Sequence, residues 1–542
     1  MFTEPVSGKD FFGRTEILEV LSKRVDALKF GYRQNVALTG QMLSGKSSVL
    51  RHFLECLNDT SIIPIYIEVI EEPFGSFADR FIATLLYNFF ASEKVDVPKE
   101  MDSLLAKSRE LVPRTTELIE KIRREHSQRH NNRAYRDLLD LTSVFREETG
   151  KPCIVILDEF HNLENLKLKN PFLQLGRIIM IQKSTMYIVS SSQRSRIRRI
   201  LQEKLSLLFG NFEVIDVAGF NPETAKNFLK NNIAPLKISD YYLDYILNLT
   251  DKNPFYLNII AKGLKDIAGT TGAERVNVQL IKECLRGILQ SPTGILNLHF
   301  TNNIHFLLEG SLRKQCLSVL SVLSQGSYKG KDIAGLLKGK VRGLSGKLDF
   351  LTNIDLIFKC GVFYKIRDRF FEFWLKTVYF RKETSLVSDL QGTISDFLDL
   401  IESDIENYLI EYNKSTLERI KDLFQSFSGE IAEIGGKARK LPKFYNIEVL
   451  KYGGDRNYLM CKTQDRFWIC QVKQEITDEM DLADFIQKDD GNFKDAVRKI
   501  LIPLNGMERN ALLLAKEKHI WVWNTDSVNL LFRLFQKQDF II

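Results

Sequence analysis

A chain of 542 residues is too long for a single hydrophobic core, and domains of ordinary size predict a modular protein of about three or four units. Its 44% apolar and 27% charged residues exclude long disordered tracts, and no apolar run reaches the ~20 residues a membrane helix needs. The net charge of +7 permits phosphate or nucleic-acid partners without requiring them; with no signal-like apolar stretch in MFTEPVSGKDFFGR, the expected location is cytoplasmic, with no membrane partner.

In chain order, NVALT (35–39) is a short β-rich run, followed by a glycine-rich turn and by SSVLRHFLECL, whose apolar positions have helical spacing. IIPIYIEVI (62–70) predicts a second strand, and residues 76–90 a helix. CIVIL (153–157) and MYIVS (186–190) are uniformly apolar, as central parallel strands are, and EVIDV (213–217) is a fifth candidate. Strands alternating with helices predict a three-layer α/β domain. The intervening 100–150 is charged at helical spacing; its basic stretch from Arg123 to Arg136 reads as a solvated helix face or a nucleic-acid contact.

The remainder predicts helices over 221–290, opened by the cap-like Asn221-Pro222-Glu223. Over 310–380 the order is helix (LRKQCLSVLSVL), turn, helix (KDIAGLLKG), turn, helix (LSGKLDFLTNIDLIFKCG) and a β-like end (VFYKIRD), which suits a winged helix-turn-helix. A helical connector follows, then an α/β region with strand-like runs IEVL, NYLMCKT, RFWICQVK, ILIPL and HIWVW. Cys56, Cys153, Cys284, Cys316, Cys360, Cys461 and Cys470 form no C-x-x-C pair, so reduced thiols and no structural zinc are expected.

Gly40-Gln41-Met42-Leu43-Ser44-Gly45-Lys46-Ser47 fits G-x-x-x-x-G-K-[ST] between a predicted strand and a predicted helix, a phosphate loop. Glycines let backbone N–H groups turn inward toward phosphate oxygens, and the following helix adds its N-terminal dipole. Residues 40–48, Ser48 included, are the expected ATP-binding stretch. Lys46 is assigned to the β- and γ-phosphates and the Ser47 hydroxyl to Mg²⁺. The third strand ends in Asp158-Glu159, with Asp158 as the Mg²⁺ residue and Glu159 as the base that polarises the attacking water. Ser192 or Gln193, ending the fourth strand, is the expected γ-phosphate sensor. Arg194, Arg196, Arg198 and Arg199 either supply an arginine finger or form an exposed basic helix.

On these residues, roughly the first 380 resemble the archaeal-ATPase-type branch of the STAND and AAA+ P-loop ATPases. Phe11-Phe12-Gly13-Arg14-Thr15-Glu16-Ile17 resembles that group's F-x-G-R-x-x-E signature, and the resemblance places Gly13 and Arg14 near the nucleotide; the glutamate falls one place early. Asn253-Pro254-Phe255-Tyr256 is similar to the lid motif, implying that Pro254 approaches the base, although Lys252 stands where relatives carry glycine. Asp368-Arg369-Phe370-Phe371-Glu372-Phe373-Trp374 resembles the segment closing the winged helix. Relatives often have arginine where Asn211 follows Gly210.

Residues 429–542 are similar to the Mrr-type restriction-endonuclease-like domains attached to such ATPases. Gln471-Val472-Lys473 matches Q-x-K, but Leu459 occupies the slot of the metal-binding aspartate, and leucine cannot ligate a hard cation. The expectation is a module that has lost nuclease activity; the alternative keeps Asp455 or Glu430 as the ligand. The expected organisation is an ATPase core (1–218), helical lid (219–292), winged helix (293–382), connector (383–428) and endonuclease-like domain (429–542). The expected activity is a Mg²⁺-dependent ATPase switch acting on DNA through the winged helix (Lys338, Lys340, Arg342, Lys347) and the C-terminal domain. An ATP-gated nuclease and an ATP-dependent oligomerising scaffold are the alternatives, and a nucleotide-dependent homo-oligomer is compatible with each.

Overall fold

The computed structural model describes residues 4–205, 210–308, 310, 312–326, 328–339, 342–384, 390–451, 457–487 and 496–539. The chain divides into two compact units: residues 1–220 with 253–255 and 353–355, and residues 221–252, 256–352 and 356–542.

The first unit is built on five parallel strands, β1 (Asn35–Thr39), β2 (Ile63–Glu68), β3 (Cys153–Asp158), β4 (Thr185–Ser191) and β5 (Phe212–Asp216), in the order β2-β3-β4-β1-β5. Alternation along each strand sends side chains to opposite layers. Val36, Leu38, Ile154, Ile156, Met186 and Ile188 pack with Leu21 and Val25 of helix α1 (Thr15–Lys29) and with Val49, Leu50 and Phe53 of α2 (Lys46–Cys56). Ala37, Val155, Leu157, Tyr187 and Val189 pack on the other side with α3 (Phe74–Ser92), α4 (Met101–Leu111), α5 (Pro113–Ser127), α6 (Asn131–Thr149) and α7 (Pro171–Ile181). Each large apolar side chain withdrawn from water in this way contributes about 1.5–3 kcal/mol. This is the α/β sandwich that the strand–helix alternation predicts. The basic stretch on α5 and α6 is partly neutralised: Arg123 lies 3.5 Å from Asp102, and Lys121 pairs with Asp137 at 2.7 Å. A short helix, α8 (Arg194–Arg199), follows β4.

The second unit begins with helices α9 (Pro222–Ile233), α10 (Asp240–Leu249), α11 (Pro254–Thr271, whose first two residues belong to the first unit), α12 (Val278–Leu285) and α13 (Ile295–Leu307). The Asn221 side chain accepts from the Thr224 N–H, the N-cap that Asn-Pro-Glu predicts. Helices α14 (Leu312–Leu323), α15 (Gly330–Leu337) and α16 (Leu344–Asn353) accompany an antiparallel sheet of β6 (Tyr328–Lys329), β7 (Ile357–Cys360) and β8 (Phe363–Ile366), in the order β6-β8-β7. The third predicted helix of this stretch is therefore shorter than its sequence pattern. It ends at Asn353, and the chain turns through Asp355 in the left-handed region (φ +59°) into β7, where IFKC pairs with β8.

Helix α17 (Arg369–Trp374) buries Phe370, Phe371 and Trp374, and the Trp374 indole N–H donates to Asn297 Oδ1 at 3.0 Å. After α18 (Phe380–Thr384) come α19 (Leu390–Tyr412) and α20 (Thr416–Gln425), the latter closed by a capping box between Ser415 and Glu418. A hairpin of β9 (Glu430–Ile434) and β10 (Lys437–Leu441) turns at Gly435-Gly436, both at positive φ. The last sheet, β11 (Asn446–Lys451), β12 (Asn457–Lys462), β13 (Phe467–Lys473), β14 (Arg498–Pro503) and β15 (Trp521–Val522), runs in chain order, antiparallel through β13 and parallel thereafter. One face packs on α20 and α23 (Thr525–Leu534), the other on α21 (Glu479–Gln487) and α22 (Arg509–Glu517). No helix among the described residues is long and apolar enough to cross a membrane.

Candidate nucleotide site

The parallel register brings the chemistry-bearing residues to one edge of the first unit's sheet. Thr39 is level with Ser191 of β4 and Asp216 of β5, and Asp158 ends β3 on the other side of β4. Ligands of open α/β sheets bind outside this carboxyl edge.

The loop after β1 folds tightly for identifiable reasons. A Cβ on Gly40 would stand 2.5 Å from the Val217 carbonyl oxygen, so only glycine passes there. Leu43 and Gly45 both have positive φ, and α2 begins at Lys46 with no side-chain cap on its first N–H groups. Leu43 therefore stores strain of about 1–3 kcal/mol in the loop. Ser44 is buried, and its hydroxyl has no hydrogen-bond partner among the described residues. Lys46, 4% exposed, donates to the carbonyls of Gly40 (3.2 Å) and Gln41 (2.8 Å). Burial pushes its ammonium below the usual range, and the carboxylates of Glu159 and Asp158 oppose that. Met42 is exposed at the loop's outer side and Ser47 is half-buried, while the Ser48 hydroxyl accepts the Val6 N–H at 3.0 Å.

Asp158 is buried, with one carboxylate oxygen accepting from Tyr66 Oη at 2.8 Å and the other from Ser190 Oγ and the Glu159 N–H. Glu159 turns out of the strand at φ +50°. Its Oε2 accepts from the N–H (3.0 Å) and hydroxyl (2.9 Å) of Ser192 and lies 3.4 Å from His161 Nδ1. Burial pushes the Glu159 carboxyl up, with Lys46 and Ser192 holding it back. His161, which the sequence reading passed over, is buried against Ser191 Oγ (2.9 Å), and desolvation pulls its imidazole down to about 4.

Three of the four arginines of α8 are engaged. Arg194 meets Asp216 through Nε (2.9 Å) and Nη2 (3.0 Å), and Asp216 also accepts from Thr39 Oγ1 at 3.1 Å. Arg196 pairs with Glu164 at 2.6 Å, and Arg199 donates to Asn353 of the same unit. Gln193 Oε1 faces Arg196 at 3.4 Å, while its N–H donates to Ser191 Oγ. Arg198 is exposed, and Asn211 enters β5, its carbonyl accepting from the Asn35 N–H. Thr39, Tyr66, Ser190 and Asp216 were not singled out from sequence. Their common signal is position, each being polar near the carboxyl end of a strand whose other residues are largely apolar.

Gly13 and Arg14 both adopt positive φ, and Arg14 caps α1. Its guanidinium donates to the carbonyls of Ser44 (3.1 Å), Ala218 and Gly219, and lies 4.8 Å from the Phe220 ring centroid. Arg14 thus ties the glycine-rich loop to the segment after β5, and burial lowers its pKa to about 10. Pro254 also reaches the loop, its Cγ 3.9 Å from the place of a Cβ on Gly45. Lys252 holds the left-handed conformation (φ +56°) that a glycine there would adopt without strain.

These residues suit a nucleoside triphosphate with a hard divalent cation. Gly40 lets the loop pass against the Val217 carbonyl where a Cβ would clash, the buried Ser44 hydroxyl lies in that loop, an uncapped helix start adjoins Lys46, and Asp158 and Ser47 are oxygen donors of the kind Mg²⁺ takes. Among the described residues no three His, Cys, Asp or Glu side chains gather into a metal cluster, so these two oxygen donors are the candidates.

In the second unit Lys473 pairs with Asp481 at the start of α21. Leu459 pairs with Cys470 and lies buried between the sheet and α23, so the slot expected for a metal-binding acid is apolar core. Glu430 is occupied by Ser428 and by Lys329 at 3.0 Å, and Asp455 and Lys340 lie outside the described residues. Lys338, Arg342 and Lys347 flank the start of α16.

Residues 11–260 match a family described as an ATPase domain predominantly from Archaea, a stretch shorter than half the chain. That stretch is similar to the ATPase domains of this family. No curated protein matches. Among solved structures, the chain is similar to a Walker-type ATPase of Pyrococcus abyssi (17% identity, covering 69% of this chain and 99% of that one, TM-score 0.45). It is also similar to the ORC2 protein of Aeropyrum pernix in its ADPNP–ADP complexes (12%, 75% and 98%, 0.43) and to the RuvB Holliday junction branch migration motor of Thermotoga maritima (13%, 69% and 99%, 0.34).

Proposed function

We propose that the chain is a Mg²⁺-dependent ATP hydrolase working as a nucleotide-driven switch on DNA. The observation that carries this reading is the pair of acids at the end of β3 that both act on the Lys46 ammonium: Asp158, hydrogen-bonded on both oxygens, and Glu159, held by the N–H and hydroxyl of Ser192. Lys46 and the main-chain N–H groups of 40–48 hold the β- and γ-phosphates. Ser47 and Asp158 hold Mg²⁺, which when bound neutralises charge between the phosphates. Glu159 orients the attacking water and takes its proton. Ser192 holds that carboxylate and is placed to report the γ-phosphate; Arg194 is the cation of α8 that supplies transition-state charge. Gly13, Arg14 and Pro254 position the loop and the base.

The winged-helix reading of 293–382 is supported by three helices with a small antiparallel sheet, and its cations at Lys338, Arg342 and Lys347 suit a phosphate backbone. The endonuclease-like reading of 429–542 is supported by the strand order and by Lys473 on β13. With Leu459 in the core, the module works by binding rather than by cleavage. ATP turnover measured with and without duplex DNA tests the whole reading: stimulation by DNA is expected, and turnover indifferent to DNA removes the DNA switch. A chain whose mass rises with ATP and which does not turn over would instead be an oligomerising scaffold.

A further inference from the structure

The basic surface richest in built structure lies outside the nucleotide site and outside the basic residues near α16. Within the second unit, the indole of Trp521 on β15 carries two guanidinium groups: Arg439 of β10 at 4.1 Å from the ring centroid and Arg498 of β14 at 5.0 Å. The indole is itself fixed, with Trp468 edge-on at 5.3 Å and Trp523 stacked at 6.4 Å. Register explains the assembly. Ile500 is level with Trp521, so Arg498, two residues earlier on β14, shares its face, and Trp468 is level with Arg498.

Among the described residues neither the Arg439 nor the Arg498 side chain has a carboxylate partner or a hydrogen bond, whereas Lys462 is paired with Glu448. Each cation lies over the ring, and no described acid neutralises it. Burial and the like charge of Arg498 hold the Arg439 guanidinium below its ordinary range. Lys437, two residues before Arg439 on β10, adds a third cation to the same strand face, and the segment GGKARKLPK (435–443) contains no acid. A fold that gathers like charges on one rigid aromatic without a counter-ion is built to receive an anion. Guanidinium groups are planar, and their donors match phosphate oxygens in pairs. With cations over its indole, Trp521 serves to hold arginines rather than to stack a base, which points to contact with the backbone and not with sequence.

We propose that Arg439 and Arg498, held on Trp521 and extended by Lys437, form a clamp for the phosphodiester backbone of nucleic acid, independent of base sequence. The proposal deepens the DNA reading above and rests on it, but it needs no ATP chemistry. Binding of the full chain to labelled duplexes of unrelated sequence, followed by fluorescence anisotropy over a range of salt, tests it. The double variant Arg439→Gln/Arg498→Gln is expected to bind every sequence at least ~10-fold more weakly. Its slope of log affinity against log salt should also be shallower by about 1.8, two phosphate contacts at ~0.9 each. If that variant does not fold, as judged by circular dichroism and thermal melting, Arg498→Gln alone, at an exposed residue, should lose about half of that slope.

Wild-type protein that binds no duplex at low salt would overturn the DNA reading and the clamp together. Wild-type binding that the variants match in affinity and slope would overturn the clamp alone. So would variants that lose only binding to vesicles containing phosphatidylserine while keeping DNA.

Discussion

The carboxylate of Glu159 takes two hydrogen bonds from a single residue, Ser192, one from its main-chain N–H at 3.0 Å and one from its hydroxyl at 2.9 Å. Both favour the ionised carboxylate, against the burial that disfavours it. Ser192→Ala removes one of them, so the Glu159 pKa rises further. The acid limb of the profile of kcat/KM for ATP against pH should therefore move to higher pH. A limb that stays in place or moves down would remove Ser192 from this role.

His161 is buried and His299 half-buried, and desolvation pulls both imidazoles from 6.5 to about 4. Their folded pKa lies below the unfolded one, so each contribution to stability is complete above the unfolded value. It is lost as pH falls from about 6.5 to about 4, where the unfolded chain binds a proton that the folded one refuses. The loss amounts to about 3 kcal/mol for each histidine. At about pH 5, unfolding of His161→Gln should take up close to one proton fewer than unfolding of the wild type, measured by pH-stat titration. Equal uptake would mean that His161 is protonated in the fold.

Gly40→Ala places a methyl group 2.5 Å from the Val217 carbonyl and 2.6 Å from Ser44 Oγ. Overpacking of this kind costs roughly 1–3 kcal/mol, and here it also deforms the phosphate loop. ATP affinity should fall at least ~10-fold by calorimetry. Gly269→Ala, at an exposed position of α11 with open space around it, should leave ATP affinity unchanged and stabilise the chain by roughly 0.5–1 kcal/mol.

Arg194 is clamped by two contacts to Asp216, which also takes a hydrogen bond from Thr39 next to the loop. In Arg194→Gln, turnover should drop by about 10-fold or more while ATP binding stays within a few-fold, because a transition-state cation contributes little to the ground state. An equal loss of binding and turnover would make the residue a support for β5 instead.

Plasmid incubated with the protein, Mg²⁺ or Mn²⁺ and ATP should remain uncut, and Lys473→Ala should behave identically. Cleavage that Lys473→Ala abolishes would restore the nuclease reading, with Asp481 as the acid beside the lysine.

The central strands β1, β3 and β4 and the loop between β1 and α2 were legible because burial on both faces forces near-continuous apolar runs, and because the glycine and lysine spacing is demanded by phosphate; the partly exposed edge strands β2 and β5 showed through their β-branched residues. The start of β7 was not. Residues 344–361 keep an apolar rhythm that fits a helix as well as a helix followed by a strand, and the break depends on Asp355 adopting positive φ. The β9–β10 hairpin carried its sign in Gly435-Gly436, but its strands are short and β10 is mostly basic, so it lacks an apolar pattern. Polar partners such as Tyr66, Ser190 and His161 were hidden for a different reason. Their roles come from register between strands distant in sequence, which no local spacing encodes.

ATP binding and hydrolysis by the wild type, Lys46→Ala and Glu159→Gln, measured side by side, test the central claim most directly. Lys46→Ala should lose nucleotide binding. Glu159→Gln should bind ATP as the wild type does but turn it over at least ~10²-fold more slowly, as loss of a general base requires. Undiminished turnover by Glu159→Gln, or ATP held as tightly by Lys46→Ala as by the wild type, would contradict that claim.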